Sequence, residues 1–375
     1  MNVGLLCRSL GLGASENALV LLSIFLGRFR ATRWGMGDDT KNAKLQPGEP
    51  GWLEQVDEAV IDPDRPIIDP HHHLWPPDGA LRYGLDDLHR DTGDGHNIVA
   101  TVFVECHASY RSDGPEELRS VGETEFVAAN AIASANADGA EIKAIVATAD
   151  LRLDNLDDVL EAHVAAGQGR FRGIRHAIAR ETDPALRIAG RAPEGLSADP
   201  AFRRGVARLG ERGLTYDSWH YHHQNRDFAD LAASAPGTTM ILDHFGTPLG
   251  VGAYEGKLDE IFETWKDDIA AVAAQPNTVA KIGGLAMPDN GYGWHLRATP
   301  ATSDELVEAQ ARWYHHTIES FGPERCMFES NFPVDRFSIG YRTVWNAFKK
   351  IAARYTEAEQ TAMFTGTATW VYKLD

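Results

Sequence analysis

From residue 67 onward, short apolar and β-branched runs alternate with longer stretches whose apolar positions recur at helical spacing. The short runs are residues 67–69, 98–107, 142–150, 171–176, 214–221, 239–246, 278–285 and 326–333, which gives eight candidate strands. Helical periodicity marks 123–137, 156–166, 201–212, 228–235, 258–274 and 303–321, and two more segments, 343–354 and 357–372, close the chain. Ser303 reads as a helix N-cap, with Leu306 and Val307 opening the apolar face. Strand then helix, repeated eight times, predicts a parallel sheet, and eight repeats suit a closed (β/α)8 TIM barrel of the α/β class. An open doubly wound sheet is the alternative. No G-x-G-x-x-G follows the first strand and no P-loop occurs, so no nucleotide cofactor is expected.

The first fifty or so residues do not share this pattern. An apolar run at 18–27 is far shorter than the ~20 residues a membrane span needs. Glu16 abuts it, Arg28, Arg30 and Arg33 follow it, and no small-residue cleavage site is evident, so a secretory leader is disfavoured. Residues 1–51 therefore read as a poorly ordered extension and linker, and 52–375 as a single catalytic domain. Three cysteines, Cys7, Cys106 and Cys326, form no C-x-x-C pair; this fits a reducing, cytoplasmic setting without a disulfide framework. A formal net charge of −18 argues against nucleic acid and anionic membranes as partners. A homodimer is the assembly the reading leaves open.

Polar and ionisable residues fall at the C-terminal ends of the candidate strands, the rim where a barrel builds its chemistry. The first strand ends in Asp69-Pro70-His71-His72-His73. In extended chain, His71 and His73 at i and i+2 share a face and make half of a metal site or a water-activating pair. Glu105 and His107 share a face at the second strand end; Glu105 reads as a ligand, a base or a salt-bridge partner. Arg172 and Arg175 flank Gly173, and Arg175 at a strand end, beside His176, is suited to gripping a substrate carboxylate or to pairing with an acid. Tyr110 and Arg111 could extend such an anion pocket. The fifth strand carries Asp217, His220, His222 and His223, of which at most two can look inward; the sixth ends in Asp243-His244, the seventh holds Lys281, and the eighth ends in Glu329-Ser330-Asn331. Trp75 and Trp219 are expected to line or roof the pocket. No G-x-S-x-G elbow occurs, and Cys106 lacks the surroundings of an activated nucleophile.

Four of these motifs, in order, resemble the amidohydrolase superfamily: Asp69-Pro70-His71-His72-His73-Leu74-Trp75, Phe171-Arg172-Gly173-Ile174-Arg175-His176, Leu242-Asp243-His244-Phe245-Gly246-Thr247-Pro248 and Ser330-Asn331-Phe332-Pro333. The resemblance is to its amidohydrolase 2 branch of metal-dependent TIM-barrel hydrolases and runs from about residue 52 to the C-terminus. Val104-Glu105-Cys106-His107 with Tyr110-Arg111, and the stretch from Met327 to Asp335, are similar to sulfomuconolactone-hydrolase-like lactonases. The resemblance implies that His71 and His73 form the first-strand H-x-H, and that His222 and His244 match the histidines of strands five and six. With Glu105 these make the expected ligand set for Zn²⁺ or another divalent metal. The superfamily ends strand eight in an Asp that acts as general base; here Asn331 stands in that place and cannot accept a proton. The base then moves to Glu329, Glu105 or Asp217, or the activated water needs none.

The function expected is opening of a small anionic lactone by a metal- or histidine-activated water, with His244 stabilising the oxyanion and Arg175 and Arg111 holding a substrate carboxylate. Non-oxidative decarboxylation on the same barrel is the main alternative, and a non-catalytic binding protein a further one.

Overall fold

A computed structural model describes residues 45–374, and Leu45–Asp375 forms one compact unit. The apolar run at 18–27 and Cys7 lie outside the described residues. The first helical turn, Pro50–Leu53, straddles the expected 51/52 boundary, and its Trp52 is buried, the indole N–H donating to Arg297 O at 3.4 Å.

Eight strands follow: β1 Pro66–His72, β2 Asn97–Val104, β3 Glu141–Ala147, β4 Phe171–Arg175, β5 Thr215–Ser218, β6 Met240–Leu242, β7 Thr278–Gly283 and β8 Cys326–Glu329. They pair in sequence order, all parallel. The ring closes where His73 N donates to Phe332 O at 2.8 Å and Asn331 N to His71 O at 3.0 Å. One helix follows each strand: α1 Leu85–Thr92, α2 Val121–Ala135, α3 Leu156–Ala166, α4 Pro200–Glu211, α5 Asn225–Ser234, α6 Leu258–Ala273, α7 Ser303–Phe321 and α8 Tyr341–Ala352. The chain is therefore a (β/α)8 barrel, not an open sheet.

The alternation of side chains along each strand sorts them into two cores. Ile68, Val102, Val104, Val146, Ile241 and Met327 fill the barrel interior. Their neighbours Ile67, Phe103, Ile145, Leu242 and Phe328 face the helices. After α8 come α9 Glu357–Thr361, a π turn Ala362–Gly366 and α10 Thr367–Tyr372. α10 contributes Ala368, Val371 and Tyr372 to the interior cluster and so plugs that core from one end.

Three details differ from the sequence reading. α1 has too few apolar residues to show a helical period; Asp87 starts it by accepting from Gly84 N at 3.0 Å. α7 is capped by Thr302, whose hydroxyl and the Glu305 carboxylate exchange bonds with each other's backbone N–H, while Ser303 turns its hydroxyl to Glu58. Apart from β1, which runs on to His72, the strands end earlier than the apolar runs do, because the polar rim residues leave the sheet at once.

Candidate active site

Those rim residues adopt backbone that L side chains seldom take. His107, His244 and Asn331 have φ of 60°, 53° and 55°, and such conformations persist where surrounding structure enforces them, often at functional sites. In β1, a register shift between Asp69 and His72 re-aims the chain at the rim. His71 and His73 come out on one side, ring centroids 4.9 Å apart, and the His71 ring is 4.6 Å from that of His244. His72 points the other way, onto Phe103.

Glu329, the last residue of β8, sits between two imidazoles. Its Oε1 accepts from His244 Nδ1 at 2.7 Å, and its Oε2 is 2.7 Å from His71 Nδ1, out of line for a hydrogen bond. Two glycines make this packing possible. A Cβ on Gly283 would meet Glu329 O at 2.0 Å, and one on Gly284, whose φ is +72°, would meet His244 Nδ1 at 2.2 Å. Burial lowers the proton affinity of His244, but the Glu329 charge outweighs it and raises the imidazole above its usual range. His71 is held well below that range, by burial first and then by Lys281. Burial and then Arg175 do the same to His73.

Tautomers follow from the bonds. His73 Nδ1 is 2.8 Å from Val104 O and His244 Nδ1 faces Glu329, so both Nδ1 atoms carry the proton and each Nε2 keeps its lone pair. His222 is the reverse: its Nδ1 accepts from Leu249 N at 3.3 Å, which places the proton on Nε2 and makes that atom a donor. Of the neighbouring histidines, His220 is spent between Ser218 Oγ and Asn225 Oδ1, and His223 is exposed.

The cations are all engaged. Arg175 is buried, with Nε donating to Glu105 Oε1 at 2.8 Å, Nη2 to Glu105 O, and Nη1 lying 3.3 Å from His71 Nε2 and 3.5 Å from Asp243 Oδ2. Lys281 Nζ is 2.7 Å from Asp217 Oδ2 and 3.3 Å from Asp243 Oδ1. Asp217 therefore lies beneath the imidazoles, where Tyr372 of the plugging helix also donates to it at 2.7 Å.

Other expected residues stand further out. Arg111 is at the surface, paired with Glu125 through both Nε and Nη2. The Tyr110 hydroxyl is 2.9 Å from His107 Nδ1, and His107 Nε2 is 3.6 Å from Glu105 Oε2. His176 accepts from Leu151 N at 3.2 Å and packs edge-on against Phe202. Trp75 is buried with its ring 5.8 Å from that of His73. Asn331 donates from Nδ2 to Asp335 Oδ1 at 2.8 Å. Asp69, which opens the first motif, is a brace: it accepts from His71 N, from Ser330 N and Oγ, and from Tyr341 Oη, tying β1 to β8.

The sequence reading gave Asp243, Lys281 and Asp335 no role. All three were visible as ionisable residues at or just after strand ends. His71, Asp243 and His244 offer donor atoms that all lie within 4.8 Å of one another. Nearby, Glu105 Oε2, Asp243 Oδ1 and Glu329 Oε2 are buried carboxylate oxygens without an aligned hydrogen bond. Among the described residues, the carboxylates of Glu105, Asp217, Asp243 and Glu329 at the centre face only two lysine or arginine cations, Arg175 and Lys281. Orphaned buried oxygens, lone-pair imidazoles and an excess of two negative charges all fit one divalent cation.

Comparison with known proteins agrees with this geometry. Residues 68–374 match the amidohydrolase family. An uncharacterised protein of Sinorhizobium fredii is 31% identical over 324 residues, 83% of this chain and 99% of that one. The L-fucono-1,5-lactonase of Burkholderia multivorans is 27% identical over 322 residues, covering 82% of this chain and 96% of its own. A crystal structure of a Burkholderia multivorans amidohydrolase with bound zinc superposes with a TM-score of 0.64 at 25% identity, covering 83% of this chain and all of that one. With a family match across most of its length and a barrel whose rim gathers His71, His73, Asp243 and His244, the chain belongs to the amidohydrolase family.

Proposed function

We propose that this protein hydrolyses an uncharged lactone, such as a sugar lactone, with one zinc ion at the rim centre. The observation that carries the reading is the Glu329 carboxylate set between His71 and His244. Of the histidines, His244 has raised proton affinity and a carboxylate behind it, so it takes the proton from the attacking water. His71, His73 and Asp243 are left to hold the ion. Zinc at such a site lowers the pKa of a bound water and polarises a carbonyl.

The protein's own groups do the remainder. Glu329 fixes the His244 ring and stabilises the imidazolium that forms. His222, with its proton on Nε2, is a neutral donor for the ring carbonyl as its oxygen gains charge. The ester leaving group asks for less proton assistance than an amide would, which fits Asn331 in place of an acid at the end of β8.

An uncharged ring is favoured over the carboxylated one expected from the sequence. Arg175 is committed to Glu105, His71 and Asp243, and Arg111 to Glu125, so neither offers a free fork to a substrate carboxylate. With one divalent ion the centre is formally neutral, and opening the ring creates the only net charge, on the departing product. The 27% identical L-fucono-1,5-lactonase supports the same class of substrate.

A panel of uncharged and carboxylated lactones followed with a pH indicator tests the reading. Acid release with kcat/KM at least about tenfold higher for uncharged rings is expected, a difference of about 1.4 kcal/mol in transition-state binding. Carbon dioxide release without acid, or a clear preference for carboxylated rings, would overturn it. The roles separate by variant: His244→Asn should keep zinc and lose turnover, whereas His71→Ala should lose zinc.

A further inference from the structure

We infer that the Lys281 ammonium is a built-in second cation of this centre, seated where a second metal ion would otherwise be held. The inference rests on the zinc reading and adds a stoichiometry to it.

Lys281 is fully buried on β7, inside the barrel. Its Nζ lies 2.7 Å from Asp217 Oδ2 at the end of β5, 3.3 Å from Asp243 Oδ1 just after β6, and 3.4 Å from His71 Nδ1 on β1. Two carboxylates and an imidazole from three separate strands thus surround one positive charge. They are the donor types that bind zinc, at distances a metal would shorten by about 1 Å. The seat is closed from below: the Tyr372 ring lies 5.5 Å under Nζ, and its hydroxyl holds Asp217 in position at 2.7 Å.

Asp243 links the two cation positions. Its Oδ2 faces Arg175, and its buried Oδ1 lies beside Lys281 without hydrogen-bonding alignment, while the same carboxylate offers a donor atom within 4.8 Å of those of His71 and His244. A carboxylate placed this way would bridge two ions. With Lys281 in one place, a single divalent ion neutralises what remains.

Zinc titration of metal-stripped full-length protein, read by elemental analysis after equilibrium dialysis, decides this without reference to turnover. Wild type should saturate at one zinc per chain and Lys281→Met at two, the thermal midpoint of the variant rising further with the second equivalent. Two ions on wild type, or one on Lys281→Met, would overturn the inference and leave the zinc reading intact. No zinc on wild type would remove both. If Lys281→Met alone does not fold, the paired variant Lys281→Met/Asp217→Asn removes both charges and one donor. It should bind one zinc, and two would count against the assignment.

Discussion

Glu329 shows what a single residue does here. It stands two positions before Asn331 and is fully buried, with an imidazole on each oxygen. Replacing it by Gln keeps the volume but removes the charge that raises His244. Glu329→Gln is therefore expected to lower kcat by about 10²-fold and zinc affinity by 10- to 100-fold, measured by steady-state kinetics and zinc competition; an unchanged kcat would reject the positioning role. The histidines of this site were legible because strand ends carry chemistry and i, i+2 spacing shares a face. The partners of the arginines were not. Arg175 at a strand end reads equally as an anion clamp or an ion pair, and only the fold brings Glu105 and Asp243 to it. The role of Asp69 was not legible for a related reason: its four hydrogen bonds, a strand-to-strand lock, come from partners that only the fold brings to it.

At the scale of elements, the alternation that marked eight strands recovered the barrel, because inward and outward residues both come from apolar strands buried on two faces. Helix α1 was illegible because its apolar face is narrow, and the last helix was read as continuous because the π turn Ala362–Gly366 joins α9 to α10 without a break in the chain's helical course. The loop after β2 carries Glu105, His107 and Tyr110, and its anchor is a carboxyl from α2. Glu123 accepts from Cys106 N at 3.0 Å and Ala108 N at 2.7 Å. Burial, and then the neighbouring Glu105 charge, push Glu123 up to about 8. The folded state therefore binds a proton that the unfolded chain releases near 4.5, and this contribution is present at low pH and lost as pH rises through about 8. Gln mimics the protonated acid, keeping an oxygen for both N–H groups. Between pH 6 and 9 the Tm of Glu123→Gln should fall less than that of wild type; parallel falls in a thermal melt series would show that Glu123 does not carry the effect.

The whole molecule combines two opposing sets of buried groups. Burial lowers His72 to about 3 and His96, His163, His220 and His222 to about 4, from an ordinary 6.5. Burial raises Asp69 to about 6, Asp335 to about 7 and Glu123 to about 8. Below pH 6 the unfolded chain takes up protons on those five histidines while the folded chain holds them on the three acids. The difference is at least about two protons, and His71 and His73 add to the same side. Stability should then fall on acidification by about 3 kcal/mol per pH unit. Above pH 6.5 the unfolded histidines are already neutral, while Asp335, Glu123 and the raised His244 still hold protons in the folded state, so stability falls again as pH rises. The two limbs meet near pH 6.5, far above the sequence pI of about 5.2. Denaturant unfolding across pH 5–9 should give a maximum there, with the acid limb the steeper; a plateau reaching down to pH 5 would mean that these histidines titrate as exposed groups and are not held neutral by the core.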